Sequence, residues 1–290
     1  MIEHLYLGRV DYGEALRLQA EMAGLRQQGR VENLLLLLEH PPVLTLGRNA
    51  KRENILASDE LLAARSVTLH EINRGGDVTY HGPGQLIGYP IFDLRSLRNP
   101  TTGARLGPVD FVRLIEEALI GLCGEFGLQA GRICGLTGVW CHVRRGGVLD
   151  ERCCGASGAN QNQVQPEAKI AAIGIHVARG ITTHGFALNV TTDLAQFALI
   201  HPCGITDRAV TSLAKEVSDA ESLPGLESLA HRAARQFGRV FHEPVLAVES
   251  LTALRVRARP AADFPAEDTP LQVPAEIERL KHRAGRPVRA

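Results

Sequence analysis

The chain has 290 residues, 44% of them hydrophobic and 22% charged, a composition typical of a globular protein large enough to bury a core. Its 32 Lys and Arg residues balance its 32 Asp and Glu residues, so it lacks the basic excess that marks a nucleic-acid-binding protein. The longest apolar run, 34–38, is too short for a signal peptide or a membrane span. We therefore expect a cytoplasmic protein that binds neither nucleic acid nor a membrane.

The hydrophobic pattern predicts interleaved strands and helices. In the first half it predicts strands over 4–10, 33–39, 43–46, 67–72 and 85–93, a helix over 12–28 and, at least in part, a loop over 74–84. The run 33–39 is continuously apolar, as in a strand buried on both faces. The helix places Leu16, Ala20, Ala23 and Leu25 on or near one face, which we expect to be buried.

The second half continues the alternation. It predicts helices over 108–126 and 223–241 and strands over 133–143, 170–178 and 181–190. Such interleaving favours an α/β or α+β domain with a mixed sheet. We expect this domain over 1–250, with a polar, glycine-rich insertion at 144–167 and a weakly ordered C-terminal tail at 251–290 that forms a short helix near 275–283.

The six cysteines do not have the spacing of a metal site. Zinc sites use paired C-x2-4-C ligands, and that form is missing, so we expect no metal and no cofactor. Cys203 differs from the others because it lies between Pro202 and Gly204, where a regular helix or strand is disfavoured. Reactive cysteines favour such loops, although an inert cysteine is the commoner explanation on spacing alone.

Three further segments allow both a functional and a structural interpretation. The glycine-rich segment 74–85 can bring its backbone close to a ligand or can form tight turns; it matches neither common nucleotide-binding motif. Lys169 is either a solvated strand-end lysine or a cation that stabilises a thiolate. The segment 183–189, with small residues beside Phe186, can wall an acyl chain or form a buried strand.

Together these segments resemble one family, the lipoyl(octanoyl) transferases. The segment 74–89, RGGDVTYHGPGQLIGY, matches the family pattern R-G-G-x-x-T-aromatic-H-x-x-[G/H]-Q-x-x-x-Y throughout. HPPVLTLGR at 40–48, KIAAIG at 169–174, HGFALN at 184–189 and PCGI at 202–205 also look like family segments and follow in family order. The resemblance covers roughly residues 5–215.

The resemblance implies a catalytic domain folded like those of biotin and lipoate protein ligases. It implies transfer of octanoyl from acyl carrier protein to a lysine of lipoyl domains, as found in 2-oxoacid dehydrogenase E2 subunits and glycine cleavage H protein. Cys203 takes the position of the nucleophile, which carries the acyl group as a thioester, and Lys169 that of the lysine that lowers the thiol pKa. The segments that match substrate-binding positions are Arg74, Gly75, Gly76, Asp77, Val78, Thr79, Tyr80 and His81, then Ala172, Ile173 and Gly174, then Gly185, Phe186 and Ala187.

Two alternatives stay open. An ATP-dependent lipoate or biotin ligase has the same fold but activates its acid as an adenylate and needs no nucleophilic cysteine. A non-catalytic acyl-binding or scaffolding protein would tolerate Cys203→Ser with no change beyond stability. Cys203 and the 74–81 segment favour the transferase over the ligase.

Overall fold

The computed structural model describes residues 1–142, 167–201 and 208–258. Within them the strands are β1 (Ile2–Arg9), β2 (Asn33–Glu39), β3 (Val43–Leu46), β4 (Thr68–Glu71), β5 (Val78–His81), β6 (Gln85–Ile91), β7 (Ala130–Ile133), β8 (Leu136–His142), β9 (Glu167–Ala178), β10 (Ile181–Asn189), β11 (Ala209–Val210) and β12 (Val245–Ala247). The α-helices are α1 (Tyr12–Gln27), α2 (Asp59–Ala64), α3 (Pro108–Gly124), α4 (Leu213–Glu216), α5 (Leu226–Phe241) and α6 (Leu251–Arg257). Short 3-10 helices cover Arg52–Asn54 and Leu194–Leu199.

The strands form one large sheet and one small sheet. The large sheet has the order β12-β1-β2-β6-β10-β9-β8-β7, and β11 pairs beside β9; the small sheet has the order β4-β3-β5. In the large sheet β1 runs parallel to β2 and β12, whereas β2, β6, β10, β9 and β8 pair antiparallel in succession. This arrangement confirms the predicted mixed α/β fold.

The large sheet is covered on both faces. Alternate β2 residues, Leu35 and Leu37, pack into the core that includes α3 and α5, and Leu34, Leu36 and Leu38 pack into the core beneath α1. All five leucines are fully buried, as the continuous apolar run predicted. A third cluster lies beneath the small sheet and includes Leu44 and Tyr80.

The predicted buried face of α1 is only partly correct, because Ala23 and Leu25 are half-buried and pack against the core but the fully buried face is a different one. The residues of α1 that are buried are Tyr12, Ala15, Leu18, Gln19 and Met22, whereas Leu16 is half-buried and Ala20 is exposed. The helix rests on its buried face partly through Gln19, whose side-chain oxygen accepts a hydrogen bond of 2.7 Å from the His184 N–H on β10. A pattern of apolar residues alone does not identify a face that contains a polar contact.

Most predicted elements differ from the observed ones by one to three residues at an end, and three differences are larger. The strand expected over 133–143 is a hairpin, because Gly135 adopts a positive φ of 78° between β7 and β8. The glycine-rich segment contains the strand β5. The helix α6 lies within the stretch assigned to the tail and buries Leu254, so ordered structure extends past residue 250.

Several sequence-based expectations lie outside the described residues. They concern the insertion apart from Glu167, the helix near 275–283 and the surroundings of Cys203. The division into a catalytic domain and a tail therefore stays a prediction. No helix in the described ranges is long and apolar enough to cross a membrane.

Candidate active site

A cavity of about 430 Å³ lies against β5, β6, β9 and β10. Most of the predicted site residues line it: Arg74, Gly75, Gly76, Thr79, His81, Lys169, Ala172, Ile173, Gly174, Gly185, Phe186 and Ala187. Its size is that of a small-molecule site, and side chains such as Ile87, Ile173 and Phe186 make much of its wall apolar. The structure thus brings together segments that lie more than a hundred residues apart.

The loop at Arg74–Gly76 crosses directly over β9. Gly75 N–H donates a hydrogen bond of 3.0 Å to the Ile175 carbonyl. A Cβ atom on Gly174 would lie 2.7 Å from the Gly75 carbonyl oxygen, which is closer than real Cβ contacts allow. Glycine at position 174 is therefore needed for the loop to reach the strand.

Arg74 is held from the opposite side by β3. Its guanidinium donates to both the carbonyl and the hydroxyl oxygen of Thr45, each at 2.9 Å, and to its neighbour's carbonyl on Gly75 at 3.0 Å. The backbone N–H of Arg48 donates to the Arg74 carbonyl at 3.0 Å. The HPPVLTLGR segment therefore supports the arginine that borders the cavity.

The alternation of β5 divides the predicted binding segment between two environments. Thr79 and His81 line the cavity, whereas Val78 and Tyr80 point into the core under the small sheet, where Tyr80 packs edge-to-face on Phe197. Asp77 lies outside the cavity wall as well. Its carboxylate accepts hydrogen bonds from the Asn54 amide and from the Lys51 and Val78 backbone N–H groups, so it fixes the loop that precedes β5.

Buried histidines and tyrosines form the support of the cavity floor. His40 donates from Nδ1 to the Val10 carbonyl at 2.7 Å, so its Nε2 accepts from the Tyr89 hydroxyl at 2.7 Å. His81 donates from Nδ1 to the Gln85 side-chain oxygen at 2.8 Å. Burial lowers the pKa of His40 to about 4 and that of His81 to about 3, so both imidazoles are neutral at pH 7.

His184 also lines the cavity and has an unusual backbone. Its φ is +57°, in the left-handed region that β-strands seldom contain, and its N–H is held by Gln19. The ring donates from Nε2 to the Asn73 side-chain oxygen at 2.7 Å, and Nδ1 is buried with no hydrogen bond to any residue that the structure describes. Burial, reinforced by the Arg74 charge, lowers the pKa of His184 to about 4.

A chain of buried side-chain amides connects the side of the cavity that contains His81 with the side that contains Lys169. The Gln85 amide donates to the Asn189 side-chain oxygen at 2.8 Å, and the Asn189 amide donates to the Thr211 carbonyl at 2.9 Å. The Thr211 N–H in turn donates to the Lys169 carbonyl at 2.9 Å. His81 is thereby linked to the strand that carries Lys169.

Lys169 lines the cavity from β9 at its pairing with β8 and β11. It is the register partner of Val210 on one side and of Trp140 on the other. Its Nζ lies 4.6 Å from the centroid of the Trp140 ring. Cys203 lies outside the described residues, five positions before Arg208 in the sequence.

Sequence reasoning missed several residues of the wall and its support. Tyr12, Ile87 and Tyr89 line the cavity, and so do Leu136 and Thr137 of β8. Tyr89 and His184 stand within the family-like segments and were available as candidates. Trp140 offered no local signal, because its relation to Lys169 arises from strand pairing. The described part of the chain contains no group of three or more His, Cys, Asp or Glu side chains able to hold a metal ion.

Comparison with known proteins now decides the family. The family model for the lipoyl protein ligase A/B catalytic domain matches residues 11–238. An octanoyltransferase of Acidobacterium capsulatum is 57% identical over 246 residues, which is 85% of this chain and 92% of that protein. The chain belongs to the octanoyltransferase family. It is therefore an acyltransferase, and its chemistry is lipoyl or octanoyl transfer in the general sense.

Two further comparisons agree with this family. An octanoyltransferase of Koribacter versatilis is 48% identical over 280 residues, covering 97% of each chain. Among solved structures, a bipartite lipoate protein ligase of Thermoplasma acidophilum superposes with a TM-score of 0.59 at 17% identity, covering 89% of this chain and 91% of that one. The structural likeness confirms the expected ligase-like fold, and the sequence relatives supply the transferase assignment.

Proposed function

We propose that the enzyme transfers an octanoyl group from acyl carrier protein to a lysine of lipoyl domains through a thioester on Cys203. The observation that carries this proposal is the position of Lys169 in the wall of a cavity built from the other family segments. The strand β11, which begins six residues after Cys203 in the sequence, pairs with β9 at Ala168 and Lys169. This pairing favours a site in which Lys169 and Cys203 act together.

The first step exchanges one thioester for another. The Cys203 thiolate attacks the octanoyl carbonyl, forms a new C–S bond and expels the carrier thiolate, which takes a proton from the Lys169 ammonium and leaves that amine neutral. Free cysteine has a pKa of about 8.5, so a nearby ammonium would raise the fraction of reactive thiolate at neutral pH. Because a thioester replaces a thioester, the step is nearly isoenergetic and needs no ATP.

The second step forms the amide. The acceptor lysine attacks the Cys203 thioester as a neutral amine, the new C–N bond replaces the C–S bond, and the proton of the amine passes to Lys169 or to the departing thiolate. Amide formation from a thioester is downhill, which makes the overall transfer favourable. Covalent catalysis divides the reaction into two accessible steps.

Several described residues have clear parts in this scheme. The apolar wall with Ile87, Ile173 and Phe186 suits an octanoyl chain, and the Arg74 guanidinium lies at the same cavity. His81 is neutral at pH 7 and keeps Nε2 as a hydrogen-bond acceptor, which supports an orienting role over a proton shuttle. The acceptors that suit this chemistry are lipoyl domains, including those of 2-oxoacid dehydrogenase E2 subunits, and glycine cleavage H protein.

Intact-mass analysis tests the nucleophile. We expect wild type incubated with octanoyl-acyl carrier protein, without ATP, to gain one octanoyl adduct that is transferred to a lipoyl domain. Cys203→Ser should lose amide product, while Cys134→Ser, at an exposed cysteine, should behave as wild type. An adduct that persists in Cys203→Ser would overturn the assignment.

The same assay separates the two alternatives. Transfer that requires ATP and free acid would indicate a ligase, the class of protein to which one solved structure with this fold belongs. A non-catalytic acyl-binding protein would form no amide under either condition.

The role of Lys169 is tested by the pH dependence of Cys203 alkylation, followed by peptide mass spectrometry. Lys169→Ala should move the midpoint to higher pH, because the thiolate loses its neighbouring cation. The control is Lys215→Ala on α4, at an exposed lysine. An unchanged midpoint in Lys169→Ala would count against the proposed pair.

A further inference from the structure

The Lys169 ammonium lies over the face of a buried indole. Its Nζ is 4.6 Å from the ring centroid of Trp140, and that ring is 3% exposed. A cation within about 6 Å of a tryptophan face is attracted by the ring quadrupole, and the attraction grows when the pair is shielded from water. The geometry is therefore that of a cation–π contact and not of an incidental neighbour.

A break in strand register creates this contact. Val139 pairs with Ala171, but the next residue, Trp140, pairs with Lys169, so one extra β9 residue, Ile170, is accommodated between them. Such bulges turn a side chain out of the regular alternation and often lie beside active sites. Here the bulge sets Trp140 directly opposite Lys169.

The neighbouring Gly138 permits the close approach of β8 to β9. Its φ is +122°, and a Cβ atom there would lie 2.6 Å from the Ala171 carbonyl oxygen and 3.5 Å from Lys169 Cε. Its N–H donates at 3.0 Å to the fully buried carboxylate of Glu116 on α3. The Trp140 strand is thus fixed to a helix of the core.

A second cation contacts the Trp140 ring. The Arg208 guanidinium carbon lies 5.6 Å from the Trp140 centroid. Arg208 immediately precedes β11, which is paired with β9 at Ala168 and Lys169. One aromatic side chain therefore contacts both Lys169 and the first described residue after the segment that contains Cys203.

We propose that Trp140 is a positioning residue for the acyl transfer, whose indole holds the Lys169 ammonium at the cavity and also contacts the Arg208 guanidinium. The inference rests on the proposed function, because it gives Lys169 a defined place from which to act on Cys203. Trp140 touches neither substrate nor reacting atoms in this proposal and acts only through the two cations.

The first test uses the fact that Trp140 is the chain's single tryptophan, so intrinsic tryptophan fluorescence reports on this position alone. Lys169→Ala should change the emission maximum and intensity, because a charge next to the indole is removed. Lys215→Ala should leave both as in wild type. An emission spectrum in Lys169→Ala that matches wild type would overturn the contact.

The second test compares Trp140→Phe, which keeps a weaker aromatic face, with Trp140→Leu, which keeps only apolar volume. Trp140→Leu should lower kcat about five- to tenfold with little change in KM, and should raise the midpoint of Cys203 alkylation by about half to one pH unit. Trp140→Phe should fall between Trp140→Leu and wild type. The Lys169→Ala/Trp140→Leu double variant should show no greater shift than Lys169→Ala.

The outcomes separate the two proposals. If Lys169→Ala moves the alkylation midpoint and neither Trp140→Leu nor Trp140→Phe does, the Trp140 inference is wrong and the proposed function stands. If Lys169→Ala itself has no effect on the midpoint, the proposed pair of Lys169 and Cys203 is wrong. Should Trp140→Leu fail to fold, Trp140→Phe and the fluorescence comparison still decide the matter.

Discussion

The two parts of the cavity wall are built in different ways. Around the Arg74 loop, buried imidazoles are held neutral and are joined by hydrogen bonds to tyrosine, amide and backbone groups. At the start of β9, the wall instead carries an ammonium held against an aromatic ring. The first part therefore suits shape and orientation, and the second suits a step in which charge develops.

The buried neutral imidazoles of the first part should make the free energy of unfolding depend on pH in the acidic range. On unfolding, the imidazoles of His40, His81 and His184 return to a pKa near 6.5, so below that pH the unfolded chain binds more protons than the folded chain. The contribution of these imidazoles to the free energy of unfolding should therefore be fully present above pH 6.5. It should fall as the pH drops toward 4, by up to about 1.4 kcal/mol per pH unit for each imidazole. Urea unfolding at several pH values measures this loss.

Two variants test whether the cavity histidines cause this dependence of the free energy of unfolding on pH. His81→Asn should make the decline shallower, whereas His242→Asn, at the exposed left-handed residue that ends α5, should keep the wild-type slope. A free energy of unfolding that stays constant between pH 6.5 and 4.5 would contradict the neutral, buried state of these imidazoles.

The docking of the Arg74 loop on β9 depends on the missing side chain of Gly174. Gly174→Val should push the Gly75 carbonyl away and break the Gly75–Ile175 hydrogen bond, which misplaces the binding segment by about 1 Å and lowers kcat/KM about 100-fold. Steady-state kinetics check this. Gly24→Ala is the control, because its Cβ meets nothing within 4 Å, and activity there should be retained. Equal activity of the two variants would show that the loop does not need this contact.

The series of amide hydrogen bonds that joins the two parts of the cavity wall can be interrupted by a substitution at Asn189. Asn189→Ala should remove one of the two buried acceptors of the Gln85 amide, which keeps the Tyr80 carbonyl at 3.3 Å, and the Asn189 donor to the Thr211 carbonyl, and should destabilise the fold by about 1–3 kcal/mol. Because Thr211 also holds the Lys169 backbone, kcat should fall while KM changes less. A variant that loses stability with no change in kcat would show that the chain serves the fold alone.

The smallest effect is expected at Tyr89. Tyr89→Phe removes the hydroxyl that donates to His40, and should cost about 1 kcal/mol of stability while the apolar cavity wall is retained. Denaturant midpoints measure the loss, and kcat should stay close to wild type. A large fall in kcat would mean that the tyrosine hydroxyl takes part in the reaction.

The sequence predicted best what depends on neighbouring residues. The bounds of β2 and β3 follow from short apolar runs ended by proline and glycine, and they match the structure. β5 was hidden because four glycines and a proline surround a four-residue strand in the segment 74–85. The inward and outward sides of β5 also needed the structure, since Thr79 and Tyr80 look equally suited to a ligand.

Contacts between distant strands could not be predicted. Trp140 meets Lys169 only because the register breaks at Ile170, and nothing in the sequence marks a bulge there. In the same way, the buried face of α1 depends on the bond from Gln19 to His184, 165 positions away. The family resemblance pointed to the correct segments, but their supporting residues are a property of the folded chain.

Phe186 gives the cavity a thermodynamic connection to the rest of the molecule. Its ring lines the cavity and also stacks on Phe237 of α5 at 5.7 Å, and Phe237 stacks on Phe241 at 5.6 Å. An acyl chain packed against Phe186 would add to this set of stacked rings. Binding of the acyl chain and unfolding of α5 are therefore linked equilibria. Acyl ligands should therefore slow hydrogen exchange in a helix that has no residue in the cavity wall.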